Sequence, residues 1–155
     1  MARRVMETCG SAAYIAGMSD DSAFAGAKLA LFLGPSLLVI RRDVGKPIPY
    51  PGYLDFPGGG REAQETAEAC VLRETWEEVG LTVRPQDLLW KVSYPGLSGK
   101  VWFFAARMAA ERERDIVFGN EGQGWMLMSP DAYAADAWAI PPLRDRMLEF
   151  VALGR

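Results

Sequence analysis

The sequence predicts an α/β or α+β fold in which helices form a sandwich with a mixed β-sheet. Short apolar runs typical of strands alternate with helical segments, and several of these runs follow each other without an intervening helix. The 155 residues suit one domain with one core, and half of them are hydrophobic. We therefore expect a single domain over 1–155, in which 1–26 form a loose N-terminal arm with one short strand around Ala13–Ile15.

Strands dominate the N-terminal half of the predicted domain. Gly34-Pro35 divides an apolar region into two strands joined by a tight turn, and Gly45 with three prolines marks the next segment as a loop. The predicted strands are Lys28–Leu33, Ser36–Arg41 and Tyr53–Phe56, and the loop is Asp43–Pro51.

The clearest predicted helix is Thr66–Val79. Thr66 is a favourable N-cap, Glu68 suits the first turn, and Gly80 suits the position after the last turn. The remaining predicted elements are strands at Leu81–Arg84, Leu88–Ser93, Lys100–Met108 and Trp125–Met128, a loop at Gly119–Gly124, and helices at Pro130–Ala135 and from Pro141 or Pro142 to about Ala152.

The composition excludes several functional classes. A net charge of -3 predicts no basic surface, which disfavours a nucleic acid polymer as partner because phosphate contacts need clustered Lys and Arg. No apolar run reaches the roughly 18 residues of a membrane span, and no apolar leader follows Arg3 and Arg4, so we expect no membrane partner and a cytoplasmic location. Cys9 and Cys70 form neither a disulfide framework nor a zinc motif, and Cys70 is expected to be a buried free thiol.

The chain contains no histidine. This excludes Ser-His-Asp and Cys-His catalytic groups as well as zinc sites with histidine ligands. Hydrolytic chemistry would have to rely on carboxylates, Lys, Tyr or Cys. A small anionic substrate would also need local positive charge, which a bound metal cation supplies.

The residues most informative about chemistry lie in Gly58–Leu81, whose sequence is GGGREAQETAEACVLRETWEEVGL. On a helix, spacings of three and four place Glu74 beside Glu77 and Glu78. Mg²⁺ prefers oxygen ligands, so the cluster is a candidate Mg²⁺ or Mn²⁺ site, with a solvated acidic helix face as the alternative. The preceding glycines let a backbone carbonyl approach a metal and N–H groups approach phosphate, or form only a tight turn.

The whole segment resembles the Nudix box. In that pattern Gly is followed after five residues by Glu, after seven more by Arg-Glu, and then by Glu-Glu and Gly at fixed spacing. Thr75 is the one departure, because the pattern usually has a bulky aliphatic residue there. The matching residues are Gly59, Glu65, Arg73, Glu74, Glu77, Glu78, Gly80 and Leu81.

The resemblance implies a Nudix-type α/β/α sandwich in which the box forms a loop–helix–loop, with Mg²⁺ or Mn²⁺ as cofactor. Arg73 would orient a catalytic carboxylate by a charge-assisted hydrogen bond, and Glu65 would support the loop or bind a second metal. Glu74 would be either a ligand or a water activator. The groups facing the metal would be the Gly59 carbonyl, Glu74, Glu77 and Glu78.

A second resemblance lies outside the box. Gly119–Gln123 is similar to a loop of mutator-type nucleoside triphosphate pyrophosphohydrolases in which one Glu reaches the metal site. Glu121 is therefore a further candidate ligand or base, with a solvated turn as the alternative. In that subfamily an amide side chain near the start of the last helix reads an oxidised purine. The matching position here is about Arg144, a candidate substrate contact whose identity argues against oxidised guanine.

Further candidate substrate contacts surround the box. Gly58 and Gly59 offer backbone N–H groups to phosphate, and Arg41 at a strand end could meet phosphate or be simply exposed. Phe56 and the tyrosines before it could stack on a base or pack in the core.

We expect a metal-dependent pyrophosphohydrolase acting on a small nucleotide, most simply an NTP or dNTP cleaved to NMP and pyrophosphate. ADP-ribose or nucleotide-sugar hydrolysis is an alternative, because Tyr94–Ser98 loosely resembles a segment of ADP-ribose pyrophosphatases.

A nucleotide-sensing Nudix domain is another alternative, although sensors commonly lose box carboxylates that this chain retains. Isomerisation of isopentenyl diphosphate fits poorly, because neither cysteine lies in a separate catalytic motif. Dimers are common among such proteins, so a homodimer is a further expectation.

Overall fold

The computed structural model describes residues 23–155. Cys9, the predicted strand at Ala13–Ile15 and nearly all of the predicted arm lie outside these residues. The elements are β1 (Gly26–Leu33), β2 (Ser36–Arg41), β3 (Leu54–Asp55), β4 (Gly58–Gly60), α1 (Ala67–Val79), β5 (Leu88–Gly96), β6 (Gly99–Met108), β7 (Gly124–Met128), α2 (Pro130–Ala135) and α3 (Pro141–Ala152), with 3₁₀ turns at Pro85–Asp87 and Ala110–Asp115.

Within residues 23–155, seven strands form one mixed sheet that is split at its centre. β1 and β2 pair only beside their turn, through Phe32 with Leu37 and Leu33 with Ser36. Away from the turn, β1 pairs with β4 and runs parallel to β6, whereas β2 pairs with β3 and β7. The split therefore gathers the ends of β1, β2, β3 and β4 in one region of the molecule.

Helices cover both faces of the sheet, which confirms the predicted sandwich. Successive residues of β1 point to opposite faces, so Leu29 packs with α1 in one core cluster and Ala30 packs with α2 and α3 in the other. Residues from α1 in the first cluster include Cys70, which is a buried free thiol as predicted. Among residues 23–155, no helix has the length and apolar character needed to cross a membrane.

The boundaries of α1 follow from its capping residues. The Thr66 hydroxyl accepts a hydrogen bond from the Ala69 N–H at 3.1 Å, and Gly80 ends the helix with a left-handed φ of 69°. Thr75 is fully buried, and its hydroxyl donates to the Val71 carbonyl at 2.7 Å. The one departure from the box pattern is therefore accommodated within the helix.

Two sequence predictions about local structure were wrong. Leu81–Arg84 is not a strand: Leu81 and Val83 are buried in the core, so the alternating pattern reflects an extended segment packed on the core without ladder partners. Gly58–Gly60 is strand β4 rather than a turn, and it pairs with Gly26–Lys28. A Cβ atom on Gly58 would lie 2.1 Å from the Ala27 carbonyl oxygen, so this close pairing requires glycine.

Candidate active site

Carboxylates from α1 and from the loop before β7 face a common cavity of about 340 Å³, here called the carboxylate cavity. Glu74 and Glu78 reach it together, because a spacing of four residues places them on one face of α1. Glu121 and the glycines of β4 line other parts of the same cavity. The structure thus brings together Glu74, Glu78, Glu121, Gly58 and Gly59, all of which the sequence indicated as site residues.

Burial changes the acidity of the two helix carboxylates. Desolvation raises the pKa of Glu78 to about 7, although Lys28 and the Gly58 N–H both favour the charged form. The Gly58 N–H donates to Glu78 Oε1 at 2.9 Å. Desolvation likewise raises the pKa of Glu74, against the opposing effect of Arg73. Burial therefore disfavours the charged form of both carboxyl groups, and a bound cation would favour it.

Arg73 joins the helix to the loop before it. Its guanidinium donates to Glu65 at 2.7 Å, to Glu74 at 2.9 Å and to the Gly60 carbonyl at 3.0 Å. The hydrogen bonds from Arg73 lower the pKa of Glu65 to about 2. The predicted contacts between Arg73 and a site carboxylate, and between Glu65 and the loop, are both present in this geometry.

Glu77 occupies a different environment from Glu74 and Glu78. Its side chain is 47% exposed, bonds Arg73 at 3.1 Å, and does not line the carboxylate cavity. Among residues 23–155, no group of three or more Asp, Glu or Cys side chains is arranged to hold a metal ion. Carboxylate oxygens of Glu74, Glu77 and Glu78 accept hydrogen bonds from Arg73 and from the Gly58 N–H instead.

The chemistry of these donors nevertheless fits a hard divalent cation. Carboxylate and carbonyl oxygens are the ligands that such cations take, and a cation would offset the effect of burial on the ionisation of Glu74 and Glu78. Gly59 lies so close to Glu74 that a Cβ atom would sit 2.7 Å from its carboxyl carbon. The β4 backbone and the helix carboxylates therefore form one oxygen-rich wall.

The loop that carries Glu121 is fixed by backbone hydrogen bonds at both ends. The Gly119 N–H donates to the Glu78 carbonyl at 2.8 Å, and the Gln123 N–H donates to the Arg41 carbonyl at 2.8 Å. Between them, the Gly122 N–H donates to Asp43 Oδ2 at 3.0 Å. These three backbone N–H groups fix the loop on both sides of Glu121 and so position Glu121 at the cavity.

Lys28 and Asp55 form a buried charge cluster that the sequence analysis missed. Asp55 Oδ2 accepts from Lys28 Nζ at 2.8 Å and from Arg42 Nη1 at 2.8 Å. Lys28 Nζ also donates to the Gly58 carbonyl at 3.2 Å. A signal was available, since a single charge inside a short apolar strand is rarely buried without a partner.

A second cavity of about 320 Å³ adjoins the first and is here called the aromatic cavity. Tyr50 and Tyr94 line it together with apolar side chains from β6 and from the start of α3. Desolvation raises the pKa of Tyr94, which is consistent with its burial there. The two cavities share Lys28, Arg42, Asp55, Gly59 and Gly60.

Three candidate substrate contacts are not at either cavity. Phe56 is fully buried and its ring packs 4.7 Å from that of Tyr133, so it cannot stack on a base. Arg41 donates to the Gly52 carbonyl at 2.8 Å and so stabilises a loop instead. Arg144 lies on α3 beside Asp145, at 3.4 Å, and its side chain lines neither cavity, although the preceding Leu143 lines the aromatic cavity.

Comparison with known proteins gives one family. Residues 25–152 match the family model described as the NUDIX domain. Over 97 residues the chain is 36% identical to the 8-oxo-dGTP diphosphatase of Escherichia coli K12, an alignment that covers 61% of this chain and 70% of that protein.

Solved structures agree on the fold. The MutT protein of Methanosarcina mazei is 21% identical with a TM-score of 0.68, over 85% of this chain and 95% of that one. An Ap4A hydrolase of Caenorhabditis elegans, in a binary complex, is 18% identical with a TM-score of 0.66, over 83% and 96% of the two chains. Since the family model spans nearly all described residues and the Escherichia coli relative shares more than a third of the aligned positions, the chain belongs to the Nudix family and is a hydrolase of phosphate anhydrides.

Proposed function

We propose that this Nudix hydrolase is a divalent-metal-dependent pyrophosphohydrolase that converts an NTP or dNTP to the monophosphate and pyrophosphate. The observation that carries the proposal is the joining of the carboxylate cavity to the aromatic cavity through shared residues. The first offers oxygen ligands and the second an apolar, aromatic wall. A nucleotide could place its base in the aromatic cavity and its phosphate chain in the carboxylate cavity.

Nudix hydrolases generally use divalent metal ions. In this chain the Gly59 carbonyl, Glu74, Glu78 and Glu121, which line the carboxylate cavity, would hold the cation, Mg²⁺ or Mn²⁺. Glu77 would join them only after its side chain leaves Arg73. When bound, it neutralises charge on phosphoryl oxygens and lowers the pKa of a coordinated water. The chain has no histidine, and we assign the proton of the attacking water to a carboxylate, with Glu74 and Glu121 as the two candidates.

Cations at the junction of the cavities support binding of a phosphate chain. Lys28 and Arg42 face both cavities, and Lys46 lines the carboxylate cavity. Lys28, Arg42 and Asp55 form a group with one net positive charge. The preference for a triphosphate rests on these cations and on the 8-oxo-dGTP diphosphatase activity named for the Escherichia coli relative.

ADP-ribose or nucleotide-sugar hydrolysis is the second candidate, and one observation favours it. All five residues of Tyr94–Ser98, whose resemblance suggested this branch, line the aromatic cavity. They form the tip of the β5–β6 hairpin and could contact a second sugar instead of a base.

Product identification separates the candidates. The purified protein would be incubated with Mg²⁺ or Mn²⁺ and a panel of NTPs, dNTPs, 8-oxo-dGTP, ADP-ribose, nucleotide sugars and dinucleoside polyphosphates, followed by chromatography. We expect monophosphate plus pyrophosphate from a triphosphate. Monophosphate plus a sugar phosphate would establish the second candidate, and tight nucleotide binding without turnover of any panel member would indicate a sensor.

A further inference from the structure

Tyr50 lines the aromatic cavity and has an unfavourable backbone conformation. Its φ is 51°, which places a bulky residue other than glycine in the left-handed region. Pro51 follows it, and a residue before proline is further restricted towards extended conformations. Such strain persists only where the surrounding structure imposes it, and it concentrates at ligand-binding positions.

The surroundings of Tyr50 impose this conformation from two sides. The Arg42 guanidinium donates to the Pro49 carbonyl at 2.9 Å, and the Tyr53 N–H donates to the Tyr50 carbonyl at 3.2 Å. Arg42 is itself bound to Asp55, so the loop is attached to the charge cluster at the junction of the cavities.

The ring of Tyr50 is held by a row of aromatic side chains. Tyr50 and Tyr53 meet edge to face with centroids 5.2 Å apart, and Tyr53 meets Trp138 in the same way at 5.2 Å. The row is anchored at its far end, because the Trp138 carbonyl accepts a hydrogen bond from the Leu54 N–H at 2.8 Å. These ring contacts restrict the Tyr50 ring, which also lines the aromatic cavity.

We propose that Tyr50 is the stacking residue for the nucleobase, and that its left-handed backbone is retained because it presents the ring to the aromatic cavity. This inference rests on the proposed nucleotide substrate and assigns the base to the space between Tyr50 and the β5–β6 hairpin. A π-face stacks on any base, so Tyr50 would contribute affinity for purines and pyrimidines alike.

Substitution by glycine separates a binding role from a structural one. Tyr50→Gly removes the ring together with its packing on Tyr53, but it also removes the backbone strain, so we expect the two effects to offset each other and Tm to change little. Ala63 has the same kind of strain, with φ of 48°, and lines neither cavity, so Ala63→Gly is the matched control. Tyr50→Phe keeps the stacking face, and Tyr50→Leu keeps the apolar bulk without it.

Calorimetric titration with dGMP, dCMP and 2-deoxyribose 5-phosphate, alongside thermal unfolding, tests the inference. We expect Tyr50→Gly and Tyr50→Leu to bind both nucleotides at least about tenfold more weakly than wild type, with deoxyribose phosphate binding unchanged. Tyr50→Phe and Ala63→Gly should stay within about twofold of wild type.

Each contrary outcome has a distinct meaning. Wild-type affinity of Tyr50→Gly for dGMP, or an equal loss of deoxyribose phosphate binding, would overturn the role of Tyr50 and leave the proposed function standing. If Tyr50→Gly does not fold, Tyr50→Leu binding as tightly as Tyr50→Phe would overturn it instead. Wild-type protein that binds dGMP and dCMP no more tightly than 2-deoxyribose 5-phosphate would overturn the stacking role, whereas the proposed function is overturned if no triphosphate of the panel is hydrolysed.

Discussion

Asp55 is the residue on which the arrangement of cations at the site depends. Its side chain is 6% exposed and accepts hydrogen bonds from Lys28, Arg42 and the Phe56 N–H. A buried carboxylate that holds two cations is costly to neutralise, because both cations would keep their charge without their partner.

We predict that Asp55→Asn lowers the free energy of unfolding by on the order of 3 kcal/mol and also raises KM for nucleotide, because Arg42 and Lys28 are no longer held at the junction. Chemical denaturation and steady-state kinetics measure the two effects. Asp115→Asn is the control: Asp115 is 53% exposed and pairs with Arg112 on the surface, so its loss should cost less than about 1 kcal/mol. Equal stability changes in the two variants would contradict this account of Asp55.

Glu65 makes the stability of the box loop sensitive to acid. Its pKa falls from 4.5 to about 2 in the folded protein, chiefly through the hydrogen bonds from Arg73. A depressed carboxyl pKa contributes stability that is complete above the unfolded value of 4.5 and is lost as the pH falls towards 2. We predict that Glu65→Gln flattens the dependence of Tm on pH between these values. A Tm profile with the wild-type slope would argue against this ion pair.

At the scale of single residues, the sequence predicted charges in the box better than charges elsewhere. Glu74 and Glu78 could be assigned to a shared site because their spacing on a helix fixes their relative position. Lys28 and Asp55 could not be assigned to a shared site, because they are 27 residues apart in the sequence and only the pairing of the strands brings them together. Phe56 was misassigned, since a buried aromatic residue and one that stacks on a ligand have the same local pattern.

The element that completes the site is the loop between the second 3₁₀ turn and β7. It lies against the C-terminal end of α1, where the Val117 N–H donates to the Val79 carbonyl at 2.9 Å and the Gly119 N–H donates to the Glu78 carbonyl. These bonds satisfy carbonyls that a helix end leaves unpaired. They also set the position of Glu121 relative to Glu78.

We predict that Gly119→Ala displaces this loop, because a Cβ atom there would lie 2.6 Å from the Glu77 carbonyl oxygen. The crowding should cost about 1–3 kcal/mol of unfolding free energy and should lower kcat about tenfold or more, since Glu121 moves with the loop. Thermal unfolding and turnover of the best panel substrate measure both.

Val117→Ala is the matched control in the same loop. Its side chain is 70% exposed, so the change should alter stability by less than about 0.5 kcal/mol and leave kcat near the wild-type value. Wild-type kcat in Gly119→Ala would show that the position of Glu121 does not matter for turnover.

Elements with strong local signals were predicted most accurately. The capping residues and apolar spacing of α1 define its ends, and the boundaries of β2 and α2 were also correct. β4 was missed because three glycines have no side-chain pattern, and only pairing with β1 makes them a strand. The Leu81–Arg84 segment was misassigned because alternating burial does not require a hydrogen-bonded partner.

For the whole molecule, the split sheet is the feature that makes the site. It joins the end of β1 with Lys28, the end of β2 with Arg42, and β3 with Asp55, next to the carboxylates of α1. The sequence predicted a mixed sheet between helices, but not this arrangement, because strand order and register depend on contacts between distant segments. The two adjoining cavities result from this strand order, so the sequence alone could not predict them.

The most direct test of the central claim, that the carboxylate cavity performs metal-dependent phosphoanhydride hydrolysis, is kcat for Glu78→Gln with the best panel substrate and Mg²⁺ or Mn²⁺. Glu68→Gln is the control, since Glu68 lies on the same helix but pairs with Lys91 at 3.0 Å, away from the cavity. We predict a fall of about 10²-fold or more for Glu78→Gln with the fold intact, and near wild-type kcat for Glu68→Gln. Full activity in folded Glu78→Gln would contradict the assignment of the active site.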